Sequence, residues 1–162
     1  MSPLLVTSIR FFLTFPTVYL VVEDHRLLAG LCILLAAVSD WYDGEKARKT
    51  GQNTPLGSLM DPFVDKVFVL MVLSAFLYMG EVSLWAYLLL LLRELSMSFL
   101  RGIASQYGVS MTPSYLGKTK TLFEFLTLLS LVLYPSVSDL LLWIAIFFAY
   151  ASAVEYLRRF VK

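Results

Sequence analysis

Residues 40–65, DWYDGEKARKTGQNTPLGSLMDPFVD, carry four aspartates in two tight pairs. Asp40 and Asp43 stand three residues apart and Asp61 and Asp65 four apart, so on two helices each pair projects from one face. Bringing the two faces together makes an all-oxygen pocket. A like-charge pair about 4 Å apart costs roughly 4 kcal/mol at an effective dielectric near 20. Cations must therefore compensate, or some of the carboxylates must be protonated. Oxygen ligands with no Cys or His nearby suit Mg²⁺, Mn²⁺ or Ca²⁺ rather than zinc, and two divalent ions would formally neutralise four carboxylates.

The residues between the pairs fit a bulky anion. Gly44 and Ala47 lie one helical turn after Asp40 and Asp43 on the same side and leave room for a ligand. Arg48 offers a planar cation suited to bidentate phosphate contact. Gly57 opens the second helix one turn before Asp61, and the hydrophilic run from Glu45 to Pro55, with Gly51 and Asn53, predicts a turn between the two helices. A plainer reading makes Asp40 and Asp43 the start of a polar loop and Ser58 with Asp61 a helix-start capping box. That explains one aspartate more easily than the whole pattern.

Outward from the motif the chain is apolar. Of its 162 residues 59% are hydrophobic and only 15% charged, with a mean hydropathy of +0.75, which points to a bilayer rather than a soluble domain. The length accommodates about six spans of roughly 20 residues in a single all-α unit, with no separate soluble domain. The predicted spans are Pro3 to Val22, Leu27 to Ser39 running into the motif, Gly57 to Met79, Val82 to Arg101, Gly117 to Tyr134, and Leu140 to Tyr156. Polar turns are expected at Glu23–Arg26, Gly80–Glu81 and Gln106–Pro113. Arg10 interrupts the first apolar stretch and no small-residue cleavage pattern follows, so the stretch reads as a span rather than a signal peptide.

Charge placement orients this arrangement. Lys46, Arg48, Lys49, Arg101, Lys118, Lys120, Arg158, Arg159 and Lys162 gather on one face, and Arg26 is the only Lys or Arg on the other. The positive-inside rule then makes the aspartate cluster and both termini cytoplasmic. A net charge of +1 with no basic run carries no nucleic-acid signature. Cys32, the single cysteine, reads as a small core residue, His25 as a solvated turn residue, and Trp41, Trp85 and Trp143 as interface anchors. Arg10 either snorkels to a surface or turns into a polar cavity. Arg93 and Glu94 lie within a run of Leu, a costly placement unless they pair with each other or face a cavity.

Asp40, Asp43, Gly44, Ala47, Arg48, Gly57, Asp61 and Asp65, with eight residues between Arg48 and Gly57, fill the signature of the CDP-alcohol phosphotransferases. The chain therefore resembles that family. Arg93–Glu94 together with Gly117-Lys118-Thr119-Lys120-Thr121 resembles its bacterial phosphatidylglycerophosphate synthase branch, as does the Thr7, Arg10 and Pro16 pattern of the first span. The usual Asn near the start is absent, and Glu124 stands where that branch often has Gln.

The resemblance implies a bundle of transmembrane helices with its active site at the cytoplasmic side of the inner membrane. It implies that Asp40, Asp43, Asp61 and Asp65 bind two divalent cations, Mg or Mn, with Asp43 also near the cytidine and Asp65 also the general base. CDP-diacylglycerol is the implied donor, its cytidine and pyrophosphate resting on Asp43, Gly44, Ala47, Arg48 and Gly57. An anionic acceptor such as glycerol 3-phosphate needs a cationic pocket, for which Arg93, Arg101, Lys118 and Lys120 are the candidates. Phosphatidylglycerophosphate and CMP would be the products, and relatives of this kind work as homodimers. The alternatives are another acceptor, such as inositol phosphate or serine, and a divalent-cation transporter, which would want its acids near mid-membrane rather than at one surface.

Overall fold

The computed structural model describes residues 3–50, 55–106 and 114–161, with side chains at 8–39, 63–64, 66–104 and 114–158. All regular structure among these residues is helical: α1 (Pro3–Val22), α2 (Arg26–Thr50), α3 (Pro55–Tyr78), α4 (Leu84–Gln106), α5 (Tyr115–Leu133) and α6 (Ser138–Val161), with one 3₁₀ turn at Pro135–Val137. The predicted first span matches α1 end for end. The turn expected from Glu45 is displaced, because α2 continues to Thr50. Glu45, Lys46, Ala47, Arg48 and Lys49 are strong helix formers, and their polarity is not a reason for the backbone to leave the helix. The following helix begins at Pro55 rather than Gly57, where a proline lacking its N–H is tolerated in the first turn.

Two turns are closed by the same device. After α3 the chain enters the left-handed region at Gly80 (φ 77°). The Gly80 amide donates to Leu77 at 3.0 Å and the Glu81 amide to Phe76 at 2.9 Å, a Schellman pair that satisfies carbonyls the helix leaves open. After α1, Asp24 (φ 57°) takes the glycine's place, with Asp24 donating to Val21 at 3.0 Å and His25 to Leu20 at 2.8 Å. Arg26 joins these turns to the end of α5. Its guanidinium donates to Asp24 at 2.7 Å, to the Leu131 carbonyl at 3.2 Å, and to Glu81. Three helix connections thus share one end of the bundle.

α1 packs on α3 and α2, α2 also on α5, α4 on α6 and α3, and α5 most extensively on α6. The core between them is built from Ile33, Phe68, Val72, Leu73, Phe76, Leu90, Leu128, Leu131 and Leu142. Gly30 admits the close approach of α2 to α5, since a Cβ there would meet Val132 Cγ1 at 3.0 Å. Arg10 turns inward, its Nη2 donating to Ser39 Oγ at 3.2 Å. His25 is exposed, as expected of a turn residue, and Cys32 is only half-buried.

Among the described residues every helix carries exposed apolar side chains, as Phe12, Leu35, Met71, Leu92, Leu122 and Phe147 show. Among the described residues, one helical stretch, Pro135–Arg158, is long and apolar enough by itself to cross a membrane, and shorter apolar stretches occupy α1, α2 and α3.

Candidate functional site

At the end of the bundle opposite Arg26, the charged residues of α3, α4 and α5 turn inward. On α4, Glu94, Ser98 and Arg101 recur at helical spacing on one face. On α5, Lys120 and Glu124 lie one turn apart and pair at 3.1 Å. Ser114 starts α5 as its N-cap, its hydroxyl accepting from the Gly117 amide at 3.1 Å. This cap fixes where Lys118 and Lys120 emerge from the first turns.

Glu94 is the hub. It is 2% exposed, and its Oε1 accepts from Arg93 Nη1 at 2.5 Å and from Lys120 Nζ at 2.8 Å. Lys66 approaches its Oε2 at 3.7 Å and also donates to Ser98 Oγ. Arg93 is fully engaged: Nε donates to the Ala149 carbonyl at 2.8 Å and Nη2 to Ser152 Oγ, which fastens α4 to α6. The expected alternatives for Arg93 and Glu94, mutual pairing or cavity lining, are therefore both realised.

Arg101 is held by Tyr156, which is completely buried. Arg101 Nη2 donates to the phenol oxygen at 3.2 Å, its guanidinium lies 5.0 Å over the ring, and the Ser114 amide donates to the same oxygen at 2.9 Å. One tyrosine from α6 thus aligns the end of α4 with the start of α5.

These groups enclose a cavity of about 250 Å³ lined by Lys66, Arg93, Glu94, Arg101, Lys118, Lys120, Glu124 and Tyr156, with Val69, Leu70 and Phe125 as its apolar wall. Among the described residues five cations face two carboxylates, a formal excess of three positive charges. Such an excess in a partly buried space calls for an anion. Among the described residues, three buried polar atoms have no hydrogen-bond partner: Arg101 Nε, Glu94 Oε2 and Glu124 Oε1. One is a donor and two are acceptors, and all three belong to residues that line the cavity.

The four cations expected to bind an acceptor phosphate, Arg93, Arg101, Lys118 and Lys120, all line this one cavity. Of these, Arg101 and Lys118 hold no carboxylate partner among the described residues, while Arg93 and Lys120 are engaged by Glu94. Lys66 joins them and escaped the sequence reading, although a lysine one position after Asp65 in an apolar segment is the type of residue that marks a functional cavity. Tyr156 offered no sequence clue, since its partners are 42 and 55 residues away. Asp40, Asp43, Gly44, Ala47 and Arg48 belong to α2, and Gly57, Asp61 and Asp65 to α3; their side chains lie outside the described residues. Among the described residues, no cluster of three or more His, Cys, Asp or Glu is placed to hold a metal ion.

Residues 1–151 match the CDP-alcohol phosphatidyltransferase family. A Rickettsia bellii protein named CDP-diacylglycerol–glycerol-3-phosphate 3-phosphatidyltransferase is 34% identical over 142 residues, covering 82% of this chain and 78% of its own length. A Sodalis glossinidius protein of the same name is 35% identical over 142 residues, covering 84% and 76%. A Mycobacterium tuberculosis protein provisionally named cardiolipin synthase is 36% identical over 121 residues, covering 74% of this chain and 58% of its own. With nearly the whole chain matched, and relatives above 30% identity over most of its length, this protein belongs to the CDP-alcohol phosphatidyltransferase family.

Proposed function

We propose that this protein transfers the phosphatidyl group of CDP-diacylglycerol to glycerol 3-phosphate, yielding phosphatidylglycerophosphate and CMP. The observation that carries the acceptor assignment is the cavity between α3, α4 and α5, with its excess of cations and its unpartnered Arg101 Nε and Glu124 Oε1. At about 250 Å³ it lies below the usual range for drug-sized ligands and suits a small polar molecule. The names of the Rickettsia and Sodalis relatives agree with that acceptor. The Mycobacterium relative is named for the synthesis of a different lipid, cardiolipin, and a lipid acceptor would be the poorer match for a cavity this small and polar.

In this reading Arg101, Lys118, Lys66 and Lys120 draw the acceptor phosphate into the cavity. Its free hydroxyl is directed toward α3, where Asp65 directly precedes Lys66. Asp65 removes the hydroxyl proton as the oxygen bonds to the lipid-bound phosphorus, and the phosphoanhydride bond to CMP breaks. Gly44, Ala47, Arg48 and Gly57 hold the cytidine and pyrophosphate, and the acyl chains stay in lipid. Asp40, Asp43, Asp61 and Asp65 form an all-oxygen set suited to two Mg²⁺ or Mn²⁺ ions, which when bound supply charge compensation at the pyrophosphate.

The six helices are read as six spans of the cytoplasmic membrane. They run from 19 to 25 residues, which at about 1.5 Å per residue is close to the roughly 30 Å hydrocarbon core. Their outward faces are apolar. The charges that make α4 and α5 less apolar in sequence, Arg93, Glu94, Lys120 and Glu124, are buried inside the bundle. The asymmetry of Lys and Arg favours a cytoplasmic cavity end and cytoplasmic termini, and we take the working unit to be a homodimer, as the resemblance implies.

The test is CMP release from CDP-diacylglycerol in liposomes with Mg²⁺ or Mn²⁺, across glycerol 3-phosphate, inositol phosphate, serine and phosphatidylglycerol. Release that depends on glycerol 3-phosphate is expected. Release driven better by another alcohol replaces the acceptor, and cation flux without CMP release replaces the reading altogether.

A further inference from the structure

Glu124 is 3% exposed and lines the cavity, yet it uses only half of its carboxylate. Oε2 pairs with Lys120 at 3.1 Å, whereas Oε1 is buried with no hydrogen-bond partner. Glu94 differs, since its Oε1 serves two cations and Lys66 stands 3.7 Å from its Oε2. Leaving a buried carboxylate oxygen unpaired is costly, and Lys120 occupies only one of the two oxygens of this cavity-lining residue. An anionic group is repelled from that oxygen, so what fits beside it is a neutral donor. Nearer the start of α5 the lining is different in kind: Lys118 is exposed, and neither it nor Arg101 has a carboxylate partner among the described residues, the chemistry of a phosphate subsite. Glu124 lies four residues further along α5 than Lys120 and six further than Lys118, about 6 and 9 Å deeper along the axis, beside the apolar ring of Phe125.

From this arrangement we infer that Glu124 is a specificity-determining residue, whose Oε1 accepts a hydrogen bond from the acceptor hydroxyl that does not react. The inference rests on the function proposed above. With glycerol 3-phosphate, one terminal hydroxyl attacks and the phosphate sits at the cationic mouth, which leaves the middle hydroxyl for Glu124. A site that hydrogen-bonds a hydroxyl discriminates against the analogue lacking it, because its own buried group is then left unpaired.

The experiment compares kcat/KM for glycerol 3-phosphate with that for 3-hydroxypropyl phosphate, which lacks only the middle hydroxyl, in the wild-type protein, Glu124→Met and Glu124→Gln. The wild type is expected to prefer glycerol 3-phosphate by about 10- to 100-fold, the range of a hydrogen bond to a charged group. In Glu124→Met the preference should fall to near unity, through a higher KM for glycerol 3-phosphate. In Glu124→Gln the NH₂ can donate to the same hydroxyl, which accepts as well as donates, so the preference should be largely kept. If Glu124→Met fails to accumulate in membranes, Glu124→Ala carries the test. A wild type that uses both acceptors equally well, or a folded Met or Ala variant that keeps the wild-type preference while losing rate on both, overturns the inference and leaves the proposed function standing. A wild type that releases CMP with neither acceptor defeats the proposed function and this inference with it.

Discussion

At the Arg26 end of the bundle one guanidinium closes on Asp24, Glu81 and the Leu131 carbonyl. At the Lys66 end, among the described residues, five cations stand around two carboxylates and three buried polar atoms go without partners. The Arg26 side chain is one-third exposed and its donors are spent on loops. This is how ion pairs look when they only fasten helix connections. The other end buries Arg93, Glu94, Lys120 and Glu124 and, among the described residues, leaves its polar groups incompletely bonded, the condition of a site that a ligand completes. Satisfaction of the polar groups, more than their number, separates a clasp from a site.

The comparison can be broken by substitution. The largest effect is expected at Asp65: Asp65→Asn should lower CMP release by at least about 100-fold, the lower bound for a general base, while the protein still assembles in membranes. Substantial residual turnover would remove Asp65 from that role. Next comes Glu94→Gln, which withdraws the charge shared by Lys66, Arg93 and Lys120. Breaking a buried pair this way costs about 3–5 kcal/mol, to be read as lost thermal stability in detergent; an unchanged melting temperature would show that the hub is not needed for folding.

Arg101→Ala should raise the KM for glycerol 3-phosphate about tenfold or more with little change in the KM for CDP-diacylglycerol. Equal changes in both would place Arg101 outside the acceptor subsite. Lys118→Ala, at the exposed mouth, should give the same selectivity at about threefold and lose most of it in high salt. Smallest is Arg26→Ala, expected to cost about 1 kcal/mol or less and leave CMP release unchanged. A destabilisation as large as that of Glu94→Gln would erase the distinction between the two ends.

Much of the fold was legible because helices in an apolar chain announce themselves locally. The limits of α1, the polar turn after Val22 and the tight turn at Gly80 follow from short-range composition and from the left-handed backbone a helix end favours. The extension of α2 to Thr50 was not legible, because polar helix formers and polar turn formers look alike in hydropathy. At the site, Arg93, Arg101, Lys118 and Lys120 stood out as charges in or beside apolar runs, but beside the local pairs Arg93–Glu94 and Lys120–Glu124 their engagement depends on partners 26 to 59 residues away. Lys66, Tyr156 and the idle oxygen of Glu124 acquire meaning only from such contacts.

By itself the sequence determined the helical, membrane-like character of the chain, its family motif and the aspartates and cations worth suspecting. Each of these is a matter of residue type and spacing along one strand of covalent bonds. Only the tertiary structure decided that three helices pool their cations in one cavity, that Glu94 binds three of them and that Arg93 serves as a fastener. It also left Arg101 Nε and Glu124 Oε1 open, because hydrogen-bond satisfaction depends on which distant side chains the packed helices bring within reach.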